Sequence, residues 1–215
     1  MAEGNGSAPR FKDVVTSLSQ LREPRGEPGH YAAQKVISVL DDTCARFIAA
    51  SPFVVVATAS RSGEMDVSPK GDPAGFVRVL DEKTLAIPDR LGNNRFDSFR
   101  NILENPQGAV IFVVPTIRHT LRVSGTAQIV RDADLRESLA VKGKVPDHVL
   151  VVSAERVMFH CAKCMVRSHL WEPDGWPDTT GVPTLGEALI AHGKLEERLA
   201  DVEQMLVENT RDKLY

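Results

Sequence analysis

Across residues 120–130 the chain alternates in polarity. Leu121, Val123, Ala127 and Ile129 fall on one side, and Arg122, Ser124, Thr126 and Gln128 on the other. A period of two is that of a half-buried strand. The Val- and Thr-rich run FVVVATA at 53–59 has the composition of a strand too, and Arg61-Ser62-Gly63 then reads as a turn into a partner strand at 66–69. Residues 75–80 and 84–87 flank Asp81-Glu82-Lys83 as the arms of a hairpin. Residues 109–114 form a continuous apolar strand. Two further apolar runs, 149–152 and 157–159, read as strands or strand–helix pieces.

Helical spacing is rarer. Over residues 31–50, Ala33, Val36, Ile37, Leu40, Cys44, Phe47 and Ile48 make one helical stripe, preceded by a short amphipathic piece with Leu18 and Leu21. The segment REPRGEPG separates the two, with two prolines and two glycines. A third helix carries Phe96, Phe99, Ile102 and Leu103 on its expected buried side. A long amphipathic helix is expected at the end, with Leu185, Leu189, Leu195, Leu199, Val202 and Leu206 in its stripe. Gly193 interrupts that stripe and argues against a sustained coiled coil.

At least six short strands with close turns and few helices predict a mainly β fold whose sheet closes or nearly closes. The regular helix crossovers of a doubly wound parallel fold are missing. The expected organisation is an N-terminal extension at 1–30, partly disordered, then a barrel at 31–171, a linker at 172–183 (EPDGWPDTTGVP) and a helix at 184–215.

Length and charge narrow the function. The chain has 215 residues, 42% of them hydrophobic, which is enough for a sizeable core. Its net charge of −3 is no footprint for nucleic acid or an anionic membrane. Any anion must be held by a local cluster. No apolar stretch has the length of a membrane span or the form of a secretory signal, and three cysteines do not make a disulfide framework. A cytoplasmic protein is the expectation.

One local cluster stands in IPDRLGNNRFDSFRNILENP, residues 87–106. Asn94 is placed as an N-cap, with Asp97 three residues on in the manner of a capping box. A first helical turn leaves amides unpaired and carries positive partial charge, which suits an anion. Arg90 and Arg95 add full charge, and Asn93 and Ser98 add donors. Together they suit a phosphate monoester; a plain capped helix with two solvated arginines is the other reading. A second cluster is Asp66-Val67-Ser68-Pro69-Lys70-Gly71-Asp72, where Lys70 either balances a bound negative charge or is a solvated loop lysine. Arg122 points away from the apolar side of its strand, toward a subunit contact or water.

The order of these motifs resembles the pyridoxamine 5'-phosphate oxidase-like flavoproteins, and within them the branch of FMN-dependent enzymes. The resemblance is carried by SPFVVVATASRSGEMDVSPKGDPAGFV, LAIPDRLGNNRFDSFRNILENP, AVIFVVP, TLRVSGTAQIV and HCAKCMVRSHLW in that order, and covers residues 18–171. It implies a split β-barrel that dimerises, with FMN in a cleft between subunits. It places Lys70, with Ser68, at the FMN phosphate. It assigns the phosphate segment ahead of Glu104-Asn105-Pro106 to Pro88, Arg90, Asn93, Asn94, Arg95 and Ser98. It also brings Arg122, Lys163, Arg167 and Trp171 toward the flavin, Lys163 to Trp171 from across the dimer interface. Two departures concern the substrate: Met65 stands where many relatives have an arginine, and Arg167-Ser168-His169-Leu170-Trp171 matches the family's substrate motif only in residue types.

The activity so implied is that of an FMN-dependent oxidoreductase using a small-molecule reductant or substrate. The alternatives are a barrel holding deazaflavin or haem, a non-enzymatic flavin-binding module, and a barrel without cofactor that binds partners through its terminal helix. His160-Cys161-Ala162-Lys163-Cys164 leaves three readings open: a zinc site short of a fourth ligand, a redox dithiol beside Lys163 and Arg167, or two small buried thiols. The expectation is buried thiols and no metal.

Overall fold

Strand register is where this fold begins. A computed structural model describes residues 11–215, so the disorder expected for residues 1–10 lies outside the described residues. Seven strands form one antiparallel sheet: β1 (Phe53–Ala59), β2 (Met65–Gly71), β3 (Arg78–Asp81), β4 (Thr84–Pro88), β5 (Gln107–Val113), β6 (Thr120–Val130) and β7 (Val149–His160). Their order is β2-β1-β5-β6-β7-β4-β3. The helices are α1 (Leu18–Arg22), α2 (His30–Gln34), α3 (Asp42–Ala50), α4 (Asp97–Glu104), α5 (Ala133–Ser138), α6 (Lys163–Arg167), α7 (Leu185–Gly193) and α8 (Leu199–Asp212).

The chain divides into two compact units, one ending at Lys35 and one running from Val36 to Tyr215. In the first, α1 is closed by a reciprocal capping box between Ser17 and Gln20, and Leu18 and Leu21 are exposed.

The second unit is the mainly β fold with flanking helices that the pattern predicts. One cluster of buried side chains takes Val54 and Val56 from β1, Leu85 and Ile87 from β4, and Val110 and Phe112 from β5. Leu121 and Val123 of β6 join it, with Leu150, Val152 and Val157 of β7. The sheet therefore curls around a single core, and its edge strands β2 and β3 stay unpaired with each other: a split β-barrel. A smaller cluster lies on the other side of β4 and β7, where Ala86, Val149 and Val151 pack against Leu139, with Leu135 of α5 beside them. Burial on both sides explains why 149–152 reads as an unbroken apolar run.

The structure corrects several expectations. The two runs 149–152 and 157–159 are one strand, β7, whose Glu155 is the extra residue of a bulge opposite Ser124 and Gly125. The stripe over 31–50 is not one helix. Between α2 and α3, Ile37 exchanges two backbone hydrogen bonds with Val157, at 3.0 and 2.8 Å, and Asp41 then caps α3 through the Cys44 amide at 2.8 Å. The terminal helix is likewise two helices. It breaks at Lys194, which has a left-handed φ of 50°, and α7 lies so close to α8 that a Cβ on Gly186 would meet the Glu203 carboxylate. Thr184, the N-cap of α7, donates its hydroxyl to that same carboxylate. No helix of the described residues is long and apolar enough to cross a membrane.

Candidate functional site

β2 sets the geometry of the site through its pleat. Asp66, Ser68 and Lys70 alternate with the exposed Met65, Val67, Pro69 and Gly71. The polar set faces a cleft of about 460 Å³, whose other walls are the end of β4, the loop after it and the first turn of α4. Ser68, Lys70, Pro88 and Arg90 all line this cleft, and so do Asn93, Asn94, Arg95 and Ser98. Thus the two sequence clusters, far apart along the chain, meet in one concavity.

α4 is held in place from behind. Asn101, 4% exposed, donates to the Thr58 hydroxyl at 3.2 Å, and Asn105 donates to the Ala59 carbonyl at 3.1 Å. Phe99 and Ile102 are buried, whereas Phe96 and Leu103 are exposed. Their exposure corrects the expected buried side. The helix also starts later than expected. Asn94 is not its N-cap: Phe96 occupies that position, and among the described residues no side chain caps the first turn. Asn94 and Phe96 both adopt left-handed backbone, with φ of 57° and 56°. For a residue as bulky as Phe96 this is strained. Stacking on Phe99 at 5.9 Å and edge contact with His148 at 6.1 Å hold it there. The result is a first turn whose Asp97, Ser98 and Phe99 border the cleft without a capping side chain.

The cations of the cleft differ in availability. Arg90 is the most committed. Its Nε donates to Asp72 Oδ2 at 2.6 Å, and its Nη2 donates to the Leu139 carbonyl at 2.9 Å. The Tyr215 hydroxyl donates to the other Asp72 oxygen at 2.7 Å. Arg90 is thus a cleft wall tied from behind. Lys70 makes a looser contact with Asp89, at 3.8 Å, and lies 5.8 Å from the centre of the Phe99 ring. Arg95 pairs with Asp97 at 2.6 Å, its side chain 70% exposed, and its own amide donates to Asn93 Oδ1 at 3.0 Å. Ser98 donates to Asp66 Oδ2 at 2.5 Å.

Sequence reasoning gave no role to Asp66 or Asp89 and made Asp97 only a capping residue, yet all three line the cleft. Their signal is present in both motifs, where every cation has an aspartate close in sequence. Burial pushes the Asp89 carboxyl above the usual range, against the opposing pull of Lys70 and His148. The buried Nδ1 of His148 has no hydrogen-bond partner among the described residues.

Arg122, Lys163, Arg167 and Trp171 lie outside this cleft. Arg122 contacts the Met158 sulfur across the β6–β7 pair at 3.3 Å. Lys163 and Arg167 are exposed on α6, and the Trp171 indole donates to the Ile117 carbonyl at 3.0 Å. Cys161 and Cys164 are exposed, not buried. Cys44 is the buried thiol, its pKa pushed up to about 12 by burial and then by Asp41.

The donor set fits a phosphate-bearing cofactor such as FMN. Lys70, the outer edge of Arg95 and an uncapped helical turn face one cleft, beside a serine–aspartate pair suited to hydroxyl groups.

Solved structures similar to this chain include HupZ of Group A Streptococcus, 22% identical over 54% of this chain and 90% of that one, with a TM-score of 0.45. An FMN-binding protein of Syntrophomonas wolfei is 12% identical over 54% and 84%, with a TM-score of 0.43. HutZ, a heme storage protein of Vibrio cholerae, is 13% identical over 56% and 93%, with a TM-score of 0.38. No curated protein matches the chain. The sequence profile described as pyridoxamine 5'-phosphate oxidase matches residues 40–161, more than half of the chain and all seven strands. The chain belongs to the pyridoxamine 5'-phosphate oxidase family.

Proposed function

We propose that the cleft binds FMN by its phosphate and that the protein is a homodimeric, flavin-dependent oxidoreductase acting on a small-molecule reductant or substrate. The observation that carries this reading is the convergence of Lys70 and Arg95 on the uncapped first turn of α4, in a chain of this family. Lys70, Arg95 and the first-turn amides hold the phosphate. Ser98 and Asp66 serve the hydroxyls of the ribityl chain. Pro88, Asn93 and Asn94 shape the loop, and Ser68 lines the wall beside Lys70. The flavin supplies the hydride and electron chemistry. The thiols of Cys44 and Cys164 are in keeping with a reducing, cytoplasmic setting.

Support for a dimer comes from the outward side of the same strands. Met65 and Val67 are 64% and 62% exposed, and Phe53 and Ile111 are 40% and 38% exposed. Register joins them into one surface: Val67 lies beside Ala57, and Val55 lies between Pro69 and Ile111. A sheet that turns its polar residues to a cleft and its apolar residues to water fits a second subunit on the apolar side. Arg122 sits at the margin of this surface, beside Ile111. In the dimer, Arg122 and the segment with Lys163, Arg167 and Trp171 reach the partner's flavin. Val67→Glu should therefore convert a dimer into a folded monomer. Sedimentation velocity, with circular dichroism for the fold, checks this; an unchanged dimer would move the interface elsewhere.

The cofactor test is a visible absorption spectrum of the protein with and without added FMN. A bound flavin near one per subunit is expected. Uptake of a deazaflavin or haem in its place would replace the FMN reading. Arg95→Ala should weaken FMN about 10- to 100-fold, the loss of one charge-assisted contact, with the melting temperature nearly unchanged because Arg95 is exposed. An unchanged dissociation constant would refute this placement of the phosphate.

A further inference from the structure

Each lining cation of the cleft already has a carboxylate. The Arg90–Asp72 pair is sealed: the Asp72 side chain is 1% exposed, and the Tyr215 hydroxyl and Leu139 carbonyl complete its bonding. The other two pairs are open, because Lys70 with Asp89 and Arg95 with Asp97 line the cleft as complete pairs. Lys70 and Asp89 are both mostly buried, with side chains 20% and 19% exposed, yet stand 3.8 Å apart. Asp97 is shared, since Arg100 reaches its other oxygen at 3.5 Å. An anion that takes Lys70 and Arg95 must take them from these two aspartates.

Resting on the FMN reading, we propose that Asp89 and Asp97 are specificity-determining residues, internal counter-ions that yield Lys70 and Arg95 to a dianionic phosphate monoester and withhold them from monoanions. A monoanion exchanges one carboxylate contact for another like it. A dianion with three acceptor oxygens engages Lys70, Arg95 and the first-turn amides of α4 together, and so outweighs the two displaced contacts. The displaced Asp97 keeps Arg100. Among the described residues no second cation forms an ion pair with Asp89: His148, on the segment leading into β7, attracts it and Asp147 opposes it, while neighbouring Arg90 stays bound to Asp72. Asp89 is therefore the stronger restraint on loading.

The pH dependence has a definite sign. Asp89 protonates as pH falls through its raised pKa, and a neutral Asp89 no longer competes for Lys70. Asp89→Asn reproduces that state at every pH.

The test is a titration of the full chain with FMN, using riboflavin as the probe that lacks phosphate. Asp89→Asn should tighten FMN about tenfold, the effect of removing one charge a few ångströms from the phosphate, and leave riboflavin unchanged. The advantage over the wild type should shrink as pH falls through the raised pKa of Asp89. An Asp89→Asn protein that binds FMN no more tightly than a wild type that does bind it overturns the inference and leaves the FMN reading standing. Failure of every form to bind FMN overturns both. If Asp89→Asn does not fold, Asp97→Asn decides by the same comparison: tighter FMN binding supports the inference, and unchanged or weaker binding overturns it.

Discussion

Arg90→Ala should lower the free energy of unfolding by about 3–5 kcal/mol, the cost of stranding a buried partner charge. The charge left behind is Asp72, whose side chain is 1% exposed and whose pairing with Arg90 is at 2.6 Å. The Leu139 carbonyl loses its donor in the same step. Tyr215 still donates to Asp72, but one hydroxyl does not neutralise a carboxylate. Adding Asp72→Asn to Arg90→Ala should recover most of the loss, because the uncompensated charge and not the lost contact carries the cost. Urea denaturation of the parent and the two variants measures this directly. FMN titration makes the experiment decide a function too. The sequence reading made Arg90 a phosphate ligand, yet its Nε and Nη2 are engaged behind the cleft. A variant that keeps its stability and loses FMN would reverse that assignment.

Gly125→Ala should cost about 3 kcal/mol or more, at the upper end for overpacking because neither neighbour is a side chain that can turn away. A Cβ at Gly125 would stand 2.0 Å from the Ser153 carbonyl oxygen and 2.9 Å from the Glu155 amide nitrogen. Both are backbone atoms of β7, at the bulge where Gly125 pairs with Ala154 and Ser124 with Arg156. Relief would require the β6–β7 pair, the longest in the barrel, to open at its centre. Gly92→Ala is the contrast. Its Cβ would meet nothing nearer than the Arg90 carbonyl at 3.9 Å, and a small gain of about 0.4–1 kcal/mol is expected from a less flexible unfolded chain. Denaturation midpoints of the two variants should therefore move in opposite directions. A Gly125→Ala protein as stable as the parent would mean that the bulge can shift along β7.

Much of the barrel is legible in the amino-acid sequence. FVVVATA and TLRVSGTAQIV coincide with β1 and β6 to the residue, because a strand with one buried side writes its period into adjacent positions. The hairpin of β3 and β4 is legible for the same reason, through the turn residues at 81–83. The residues singled out in the two charged motifs, Lys70, Arg95 and Ser98 among them, line one cleft.

What the sequence left undecided depends on partners distant along the chain. Val36 and Ile37 carry helical spacing, yet Ile37 pairs with Val157 and breaks the stripe. The runs 149–152 and 157–159 look separate because Glu155 and Arg156 interrupt them, and only the β6 register makes them one strand. Phe96 and Leu103 fit an apolar side that is not buried, because two left-handed residues delay the start of α4 and set its phase. The charges make the clearest case. The sequence supplies Arg90, Lys70 and Arg95 as equivalent cations. Tertiary structure seals Arg90 against Asp72, whose other oxygen is held by a hydroxyl 143 residues further along the chain, and leaves Lys70 and Arg95 facing the cleft. Local periodicity is set by neighbours in sequence and survives in the sequence alone. The pairing of a charge is set by whichever opposite charge the fold brings within a few ångströms, and only the folded chain decides that.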